Sequence, residues 1–221
     1  MIPCRFCFKE CIRKGWQSGR QKLFCKTCNK YQQLTYSDRK INPSHEKMVV
    51  LLNNEGCSVS SMGRITGFSK TSICNVVDRL GLSTRIEFPK EQGCEYEVDE
   101  LRTFVGNKKN ECWIIYALNK LTKKIAALTV GGRTKENIRK VTDVLLRLNP
   151  ERIFTDKLLT YDYVIPENLH ENKKRSTNHI ERKNLHLRQQ LRRLQRKTIC
   201  YSKSERMLKN SLMLFLSGQV N

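Results

Sequence analysis

The sequence has no long hydrophobic run. Its apolar stretches are interrupted by Lys or Asn well short of the roughly 20 consecutive apolar residues that a membrane-spanning helix requires. The opening residues, Met1-Ile2-Pro3-Cys4-Arg5, also lack the basic-then-apolar arrangement of a secretory signal. We therefore expect a soluble, cytoplasmic protein with no membrane partner.

Acidic residues are scarce relative to basic ones. The 221 residues include 42 Lys and Arg against 21 Asp and Glu, which gives a formal net charge of +21. The excess is +10 in residues 1–90 and +11 in residues 91–221, so it is not confined to a tail. The hydrophobic fraction of 38% is enough to build a folded core. A folded protein of this charge is expected to bind nucleic acid, and hence to associate with the nucleoid.

Four of the ten cysteines occur as two Cys-x-x-Cys pairs. Cys4 and Cys7 form the first pair, Cys25 and Cys28 form the second, and 17 residues separate them. This spacing is typical of a structural Zn²⁺ site with four thiolate ligands. We predict a small zinc ribbon in residues 1–40, with two alternatives: a redox or disulfide arrangement of the pairs, or Cys11 as a ligand in place of Cys7.

Residues 45–82 have the pattern of three short helices. Ser58 and Ser69 are placed to cap the second and third helices, and Gly67 lies at the turn between them. A helix, a glycine turn and a helix form the pattern of a helix-turn-helix DNA-binding unit, and the alternative is a small bundle with a solvated polar face. Residues 83–93 are expected to be a linker. The side chains of the third helix that we predict to contact DNA are Lys70, Thr71, Ser72, Asn75 and Arg79.

Residues 94–221 have a mixed α and β pattern. Three runs rich in branched and aromatic residues predict an antiparallel meander, and apolar stripes at helical spacing follow it. The last of these helices either packs on its own sheet or contacts a second copy of the chain. The predicted elements are strands at residues 94–105, 111–119 and 123–131, a helix at 134–148, a strand at 151–156, and helices at 177–197 and 204–220.

Three carboxylates lie at informative positions in this pattern. Asp99 is inside the first predicted strand, Asp156 ends the fourth, and Glu181 is near the start of a late helix. If the first and fourth strands are neighbours, these side chains converge. A site of carboxylate oxygens without Cys or His suits Mg²⁺ or Mn²⁺. Two such ions can hold a scissile phosphate, activate an attacking oxygen and stabilise the leaving one.

Other carboxylates compete for these positions. Successive strand residues face opposite sides of a sheet, so at most one of Asp99 and Glu100 is expected to point at the metals. Glu97 shares the face of Asp99 and is the better competitor. Asp162 rivals Asp156.

The late helix is strongly basic. Residues 173–197 contain ten basic side chains and one acid, Glu181. Like charges at helical spacing weaken a helix, and a bound polyanion removes that repulsion; the alternative is a solvated basic face. The residues of this segment that we predict to contact DNA are Arg182, Lys183, Arg188, Arg192 and Arg193.

Taken together, these motifs resemble the transposases of the insertion-sequence-one family. The resemblance lies in the two cysteine pairs with the following helices, in Val98-Asp99-Glu100, and in Thr155-Asp156 followed by Tyr161. Its most specific part is the stretch HIERKNLHLRQ at residues 179–189, continuing to YSKS at 201–204. The resemblance implies an α+β multidomain protein, in which residues 94–221 form a ribonuclease-H-like α/β catalytic domain with a mixed sheet.

The resemblance also implies a function and its partners. Asp99, Asp156 and Glu181 correspond to the acidic triad of a DDE transposase, which uses Mg²⁺ or Mn²⁺ to cut DNA strands and join them to a target. The partners would be double-stranded DNA, both element ends and target, and further copies of the chain. One alternative is a zinc-dependent DNA-binding regulator with a catalytically silent second domain. Another is covalent catalysis by Tyr161, Tyr163 or Tyr201.

Overall fold

A computed structural model describes residues 2–35, 41–173 and 176–218. The chain divides into two compact units, an amino-terminal unit at Met1–Lys40 and a carboxyl-terminal unit at Ile41–Asn221. The architecture is mixed α and β, as the sequence predicts. None of the helices in the described part of the chain has the length and apolar character needed to cross a lipid bilayer.

The amino-terminal unit is a four-stranded antiparallel sheet whose strands follow the order of the sequence. Its core consists of Leu23 and buried cysteines, which is too little apolar material to stabilise a fold alone. A bound metal would therefore supply much of the folding free energy. The strands are β1 at Ile2–Pro3, β2 at Glu10–Gln17, β3 at Arg20–Cys25 and β4 at Lys30–Gln33.

Three helices open the carboxyl-terminal unit: α1 at Pro43–Asn54, α2 at Val59–Thr66 and α3 at Lys70–Ser83. The Oγ atoms of Ser58 and Ser69 each accept a hydrogen bond from a backbone N–H in the first turn of the following helix, at 3.1 Å. Gly67 ends α2 with a φ of 71°. The second and third helices thus begin at the predicted caps.

A five-stranded mixed sheet forms the rest of the unit, in the order β7-β6-β5-β8-β9. Strands β5 to β7 are an antiparallel meander, whereas β8 runs parallel to β5 and β9 parallel to β8. The first and fourth strands of this part are therefore neighbours, as the argument from the carboxylates requires. The strands are β5 at Glu95–Val105, β6 at Asn107–Asn119, β7 at Ile125–Gly131, β8 at Arg152–Phe154 and β9 at His170–Glu171.

Helices cover both faces of this sheet. Helix α4 (Lys135–Leu146) packs on one face, and α5 (Asn178–Gln190) and α6 (Glu205–Ser217) bury their apolar residues against the other. The helix predicted at residues 177–197 is shorter than expected, because Leu191 adopts an extended conformation and a short 3-10 turn follows at Arg192–Leu194.

Helix α6 packs within its own chain, on the sheet and on α1 and α3. Its Leu212 belongs to the core beneath the sheet, and its Leu214 belongs to the core of the three helices. A carbon atom added at Gly81 of α3 would lie 2.4 Å from Cβ of Asn210 in α6, so these two helices are in close contact. Val220, the end of the predicted helix, lies outside the described residues.

Candidate functional site

Two neighbouring strands bring carboxylates from distant parts of the sequence together. Phe154 of β8 pairs with Glu97 of β5 in the parallel register. Asp156 lies two residues beyond Phe154 and Asp99 two residues beyond Glu97, so both reach the same level of the sheet. One carboxylate oxygen from each of Asp99, Glu100 and Asp156 lies within 4.8 Å of the other two. We call these three residues the carboxylate group.

The presence of Glu100 in this group differs from the sequence-based expectation. Alternation along β5 predicts that Asp99 and Glu100 point to opposite faces, yet the structure places an oxygen of each near Asp156. Because β8 ends at Phe154, none of the described strands pairs with β5 on this side at the level of Asp99 and Glu100, and both side chains reach the space. The Glu100 side chain is only 1% exposed. Among the described residues its Oε1 has no partner at ordinary hydrogen-bond geometry, and the buried hydroxyl of Tyr161, which lies nearby, has none either. A buried, unpaired carboxylate oxygen is unfavourable unless a cation contacts it.

An arginine already lies beside the carboxylate group. Nη2 of Arg133 is 3.3 Å from Oε2 of Glu100 and 4.0 Å from Oδ2 of Asp156. The guanidinium lies over the ring of Trp113, 4.7 Å from its centroid. Sequence reasoning missed Arg133; the signal available was its position just after two glycines at the end of β7.

Hydrogen bonds fix the orientation of the Asp99 carboxylate. The backbone N–H of Glu100 donates to Oδ1 at 2.8 Å, and Nδ2 of Asn184 in α5 donates to Oδ2 at 2.6 Å. The hydroxyl of Tyr116 donates to Oδ1 of Asn184 at 2.8 Å, which orients that amide. The two oxygens of Asp99 thus accept from β5 and α5, and β6 supports the second donor through Tyr116.

The surroundings of Asp99 disfavour its charge when no metal is bound. Burial is the main cause, and the charges of Glu100, Asp156 and Glu181 add to it, so the pKa of Asp99 is raised to about 7. The hydrogen bond from the Glu100 N–H opposes this shift. A divalent cation at the site would reverse the preference, because it favours the ionised carboxylate.

Glu181 lies close to the carboxylate group without being part of it. It is exposed in the first turn of α5, and its Oε1 accepts a hydrogen bond from Oγ1 of Thr177 at 3.2 Å. Its charge nevertheless acts on Asp99, as the raised pKa of that residue reflects.

The two competing carboxylates have other partners. Glu97 is fully buried and accepts a hydrogen bond from the backbone N–H of Ile180 at 2.7 Å, and its other oxygen lies 2.5 Å from Nδ1 of His179. It therefore anchors the first turn of α5, which carries Glu181. Asp162 lies 3.2 Å from Nδ1 of His170 and outside the carboxylate group.

The donor set of the carboxylate group fits a hard divalent cation. It offers carboxylate oxygen atoms alone, one from each of its three residues. Tyr161, one alternative nucleophile, is fully buried behind Glu100, and burial raises its pKa well above the ordinary value for tyrosine. Its hydroxyl is therefore not available to attack DNA.

Comparison with known proteins identifies the family of the chain. A sequence profile described as IS1 transposase matches residues 94–219, more than half of the chain. The chain belongs to the IS1 transposase family. The matched region contains Asp99, Asp156 and Glu181, and residues 1–93 lie outside it.

Individual IS1 proteins are similar over a shorter stretch. The chain is 40% identical over 108 residues to the iso-IS1n protein InsB of Shigella dysenteriae, a match that covers 49% of this chain and 82% of that protein. It is 37% identical over 108 residues to an InsB protein of Escherichia coli K12, covering 49% and 65%. A chain in the cryo-EM structure of a simian T-cell lymphotropic virus intasome with the PP2A subunit B56 gamma is 14% identical, with a TM-score of 0.40 and coverage of 78% and 69%.

In this IS1-family chain the four predicted zinc ligands come together. The Sγ atoms of Cys4 and Cys28 are 3.6 Å apart, and those of Cys7 and Cys25 are 3.4 Å apart. Zn–S bonds of about 2.3 Å in a tetrahedron place sulfur atoms about 3.8 Å apart, so the group is close to the size that Zn²⁺ requires. The residue after each pair has a positive φ, 60° at Phe8 and 55° at Asn29.

Cys11 lies beside the four-cysteine group and is not one of its members. It is buried on β2, opposite Cys25 of β3. Burial, with added repulsion from Cys4 and Cys25, raises its pKa to about 11.

The predicted DNA-contacting residues of α3 lie along its outer face. Lys70, Thr71 and Asn75 are exposed, and Ser72 is half-buried and hydrogen-bonded to Ser69. Arg79 is exposed but forms an ion pair with Glu46 of α1 at 2.6 Å.

The basic residues of the late helix fall into two groups. Arg182 and Arg192 are exposed, and Lys183 is half-buried. Arg188 donates to the backbone carbonyls of Leu194, at 2.6 Å, and Arg102, at 3.2 Å, and Arg193 donates to Oγ of Ser202 at 3.1 Å. Arg188 and Arg193 therefore hold the turn after α5. Lys174 and Arg175 lie outside the described residues.

Proposed function

We propose that this IS1-family chain binds the terminal inverted repeats of its own insertion element and carries out metal-dependent strand cleavage and strand transfer. Asp99, Asp156 and Glu181 are the catalytic carboxylates, and Mg²⁺ or Mn²⁺ is the cofactor. The observation that carries the proposal is the meeting of Asp99 and Asp156, from strands more than 50 residues apart, in one group of oxygen ligands beside α5.

The sheet topology supports a ribonuclease-H-like fold for this part of the chain. An antiparallel meander of three strands is followed by a helix and by a fourth strand, β8, that runs parallel to the first, β5. The first strand therefore lies at the centre of the sheet, next to the fourth. Ligand sites commonly lie where parallel neighbours end at one edge of a sheet. The carboxylate group occupies that position.

The rest of the chain supports DNA binding. In the proposal, α2 and α3 form a helix-turn-helix, with Lys70, Thr71, Ser72 and Asn75 at the DNA, and Zn²⁺ stabilises the amino-terminal unit. The exposed Arg182 contacts phosphates next to Glu181, which lies on the same helix.

The residues of the site have separate tasks in this reaction. Bound Mg²⁺ or Mn²⁺ supplies activation of the attacking oxygen and stabilisation of the leaving one. Asp99 and Asp156 hold the cation, with the Asp99 carboxylate oriented by Asn184. Glu97 fixes the first turn of α5 and thereby the position of Glu181.

A cleavage assay tests the proposal. Purified zinc-loaded protein with Mn²⁺ should nick a duplex carrying its own element end, and Asp99→Asn and Glu181→Gln should bind that duplex without cutting it. We expect rate losses of at least about 10²-fold. Matched controls are Asp143→Asn, an exposed acid of α4, and Glu136→Gln, in the first turn of that helix. Normal cutting by Asp99→Asn would refute the site assignment, and DNA binding without any cutting by the wild type would favour the regulator.

The proposal includes self-association on DNA, because two element ends must be joined. Light scattering of the protein, alone and with element-end DNA, should show at least two chains in the complex. A complex of one chain with two ends would contradict this part.

A further inference from the structure

Arg133 is the basic residue that touches the carboxylate group in the described part of the chain. Its guanidinium contacts Glu100 and approaches Asp156, the place that a divalent cation would take in the proposed function. Two positive charges cannot share this place without strong repulsion, since unit charges about 4 Å apart interact strongly when partly removed from water.

We infer that Arg133 acts as a built-in counter-ion that a divalent cation displaces and that then contacts the scissile phosphate of the DNA. The inference rests on the proposed function and extends it to a residue outside the acidic triad. It makes Arg133 a competitor of the metal before DNA binds and a contributor to catalysis afterwards.

The contacts of Arg133 favour displacement. Its side chain is 34% exposed, whereas that of Glu100 is 1% exposed. The arginine can therefore move toward solvent at low cost, and the glutamate cannot. When it moves, Oε2 of Glu100 loses its ion-pair partner and becomes available to a cation. A cation that binds there neutralises a buried carboxylate that Arg133 contacts through one oxygen, at 3.3 Å.

The second role follows from the shape of the guanidinium and its support. Trp113 lies under the face of the group, so that the N–H donors at its edge remain directed sideways. Such a planar set of donors matches the oxygens of a phosphate, and stacking reduces the freedom lost on binding. Arg133 follows Gly131 and Gly132, where the chain leaves β7 and no regular element constrains it.

Mn²⁺ titration of the zinc-loaded, DNA-free full-length protein tests the first role. Arg133→Gln removes the charge and keeps a planar end group, and it should bind Mn²⁺ about fivefold more tightly than the wild type, the effect expected of losing a partly exposed ion pair. Arg139→Gln, an exposed arginine of α4, makes the same change in net charge and should leave the affinity unchanged. Equal or weaker Mn²⁺ binding by Arg133→Gln would overturn the inference.

Cleavage of element-end DNA at saturating Mn²⁺ tests the second role. Arg133→Gln should cut at least about tenfold more slowly despite its tighter metal binding, because a phosphate contact is lost. Arg133→Lys keeps the charge, so its Mn²⁺ affinity should stay near that of the wild type while its rate falls. If Arg133→Gln does not fold, this lysine variant decides the question, and an unchanged rate overturns the phosphate contact.

The same titration separates failure of the inference from failure of the proposed function. Asp99→Asn should lose Mn²⁺ binding. If Asp99→Asn binds Mn²⁺ as the wild type does, the carboxylate group is not the metal site, and the proposed function and this inference both fail. If Asp99→Asn loses binding and Arg133→Gln does not gain it, the inference alone fails.

Discussion

Replacing Asp99 by Asn should stabilise the metal-free protein at neutral and higher pH. Asp99 is buried among other carboxylates, and its pKa in the folded protein is about 7 instead of the ordinary 3.8. A shift of about three pKa units corresponds to about 4 kcal/mol of preference for the uncharged form. Asn lacks the charge, but its amide N–H₂ faces one of the two groups that donate hydrogen bonds to Asp99. That lost hydrogen bond costs about 1 kcal/mol. The net gain at pH 8 is therefore at most about 3 kcal/mol.

The pH dependence gives this prediction its sign. Below pH about 4 Asp99 is protonated in both the folded and the unfolded chain, so its ionisation does not affect stability. Between pH about 4 and about 7 the unfolded chain loses this proton first, and the free energy of unfolding of the wild type falls. The advantage of Asp99→Asn should grow over this interval and stay constant above it.

Urea denaturation measures this difference in the free energy of unfolding. The measurements are made with a chelator of Mg²⁺ and Mn²⁺ present, at steps of about one pH unit between pH 5 and pH 8. Adding Mn²⁺ at pH 8 should stabilise the wild type and not the variant. Asp143→Asn, which changes an exposed acid, should show no such pH dependence. A variant that is less stable than the wild type at pH 8, or whose advantage is the same at pH 5 and pH 8, would refute the electrostatic reasoning.

Three further predictions concern packing, zinc and DNA. Gly81→Ala should lower the free energy of unfolding by about 1–3 kcal/mol in urea denaturation, although alanine favours helices, because the new methyl group lies 2.4 Å from Cβ of Asn210; an unchanged stability would contradict this close contact. Cys25→Ser should abolish zinc binding and make the amino-terminal unit sensitive to protease while the carboxyl-terminal unit stays resistant; loss of both units at once would contradict their independence. Lys70→Ala should weaken DNA binding and reduce the slope of log affinity against log salt by about 1, and an unchanged slope would show that this face does not contact phosphate.

Local signals in the sequence were sufficient for the beginnings of α2 and α3, whereas α1 begins at Pro43, before the predicted residue 45. Ser58 and Ser69 cap α2 and α3, and Thr134 and Ser204 cap α4 and α6, in each case through a side-chain oxygen that accepts from the first turn. A cap is a contact between residues three apart, so the sequence contains all of it.

The end of α5 could not be predicted in the same way. The apolar stripe continues through Leu191 and Leu194, and both are buried in the core under the sheet. The chain keeps them buried by leaving the helix at Leu191 and making a 3-10 turn, held by the bond from Arg188 to the carbonyl of Leu194. A hydrophobic pattern records which residues are buried and not which backbone conformation buries them.

The candidate site was predictable in part for a related reason. The positions of Asp99 and Asp156 at a strand interior and a strand end were enough to expect their convergence. Strand alternation predicts that at most one of Asp99 and Glu100 points at the metals, whereas the structure brings an oxygen of each near Asp156, beyond the end of β8 at Phe154. Where a strand ends relative to its neighbour depends on the packing of the whole sheet. The position of Arg133, which follows β7 and contacts Glu100, depends on the same packing.

Helix α6 shares its two sides between the core of the first three helices and the core beneath the sheet. A chain built in this way cannot exchange α1–α3, the helices proposed to read DNA, for those of another element, because the incoming helices would have to match α6 as closely as Gly81 matches Asn210. If α3 reads the element ends, as proposed, new end preferences are expected to arise by substitutions on its outer face, one side chain at a time, with the buried contact between α3 and α6 left intact.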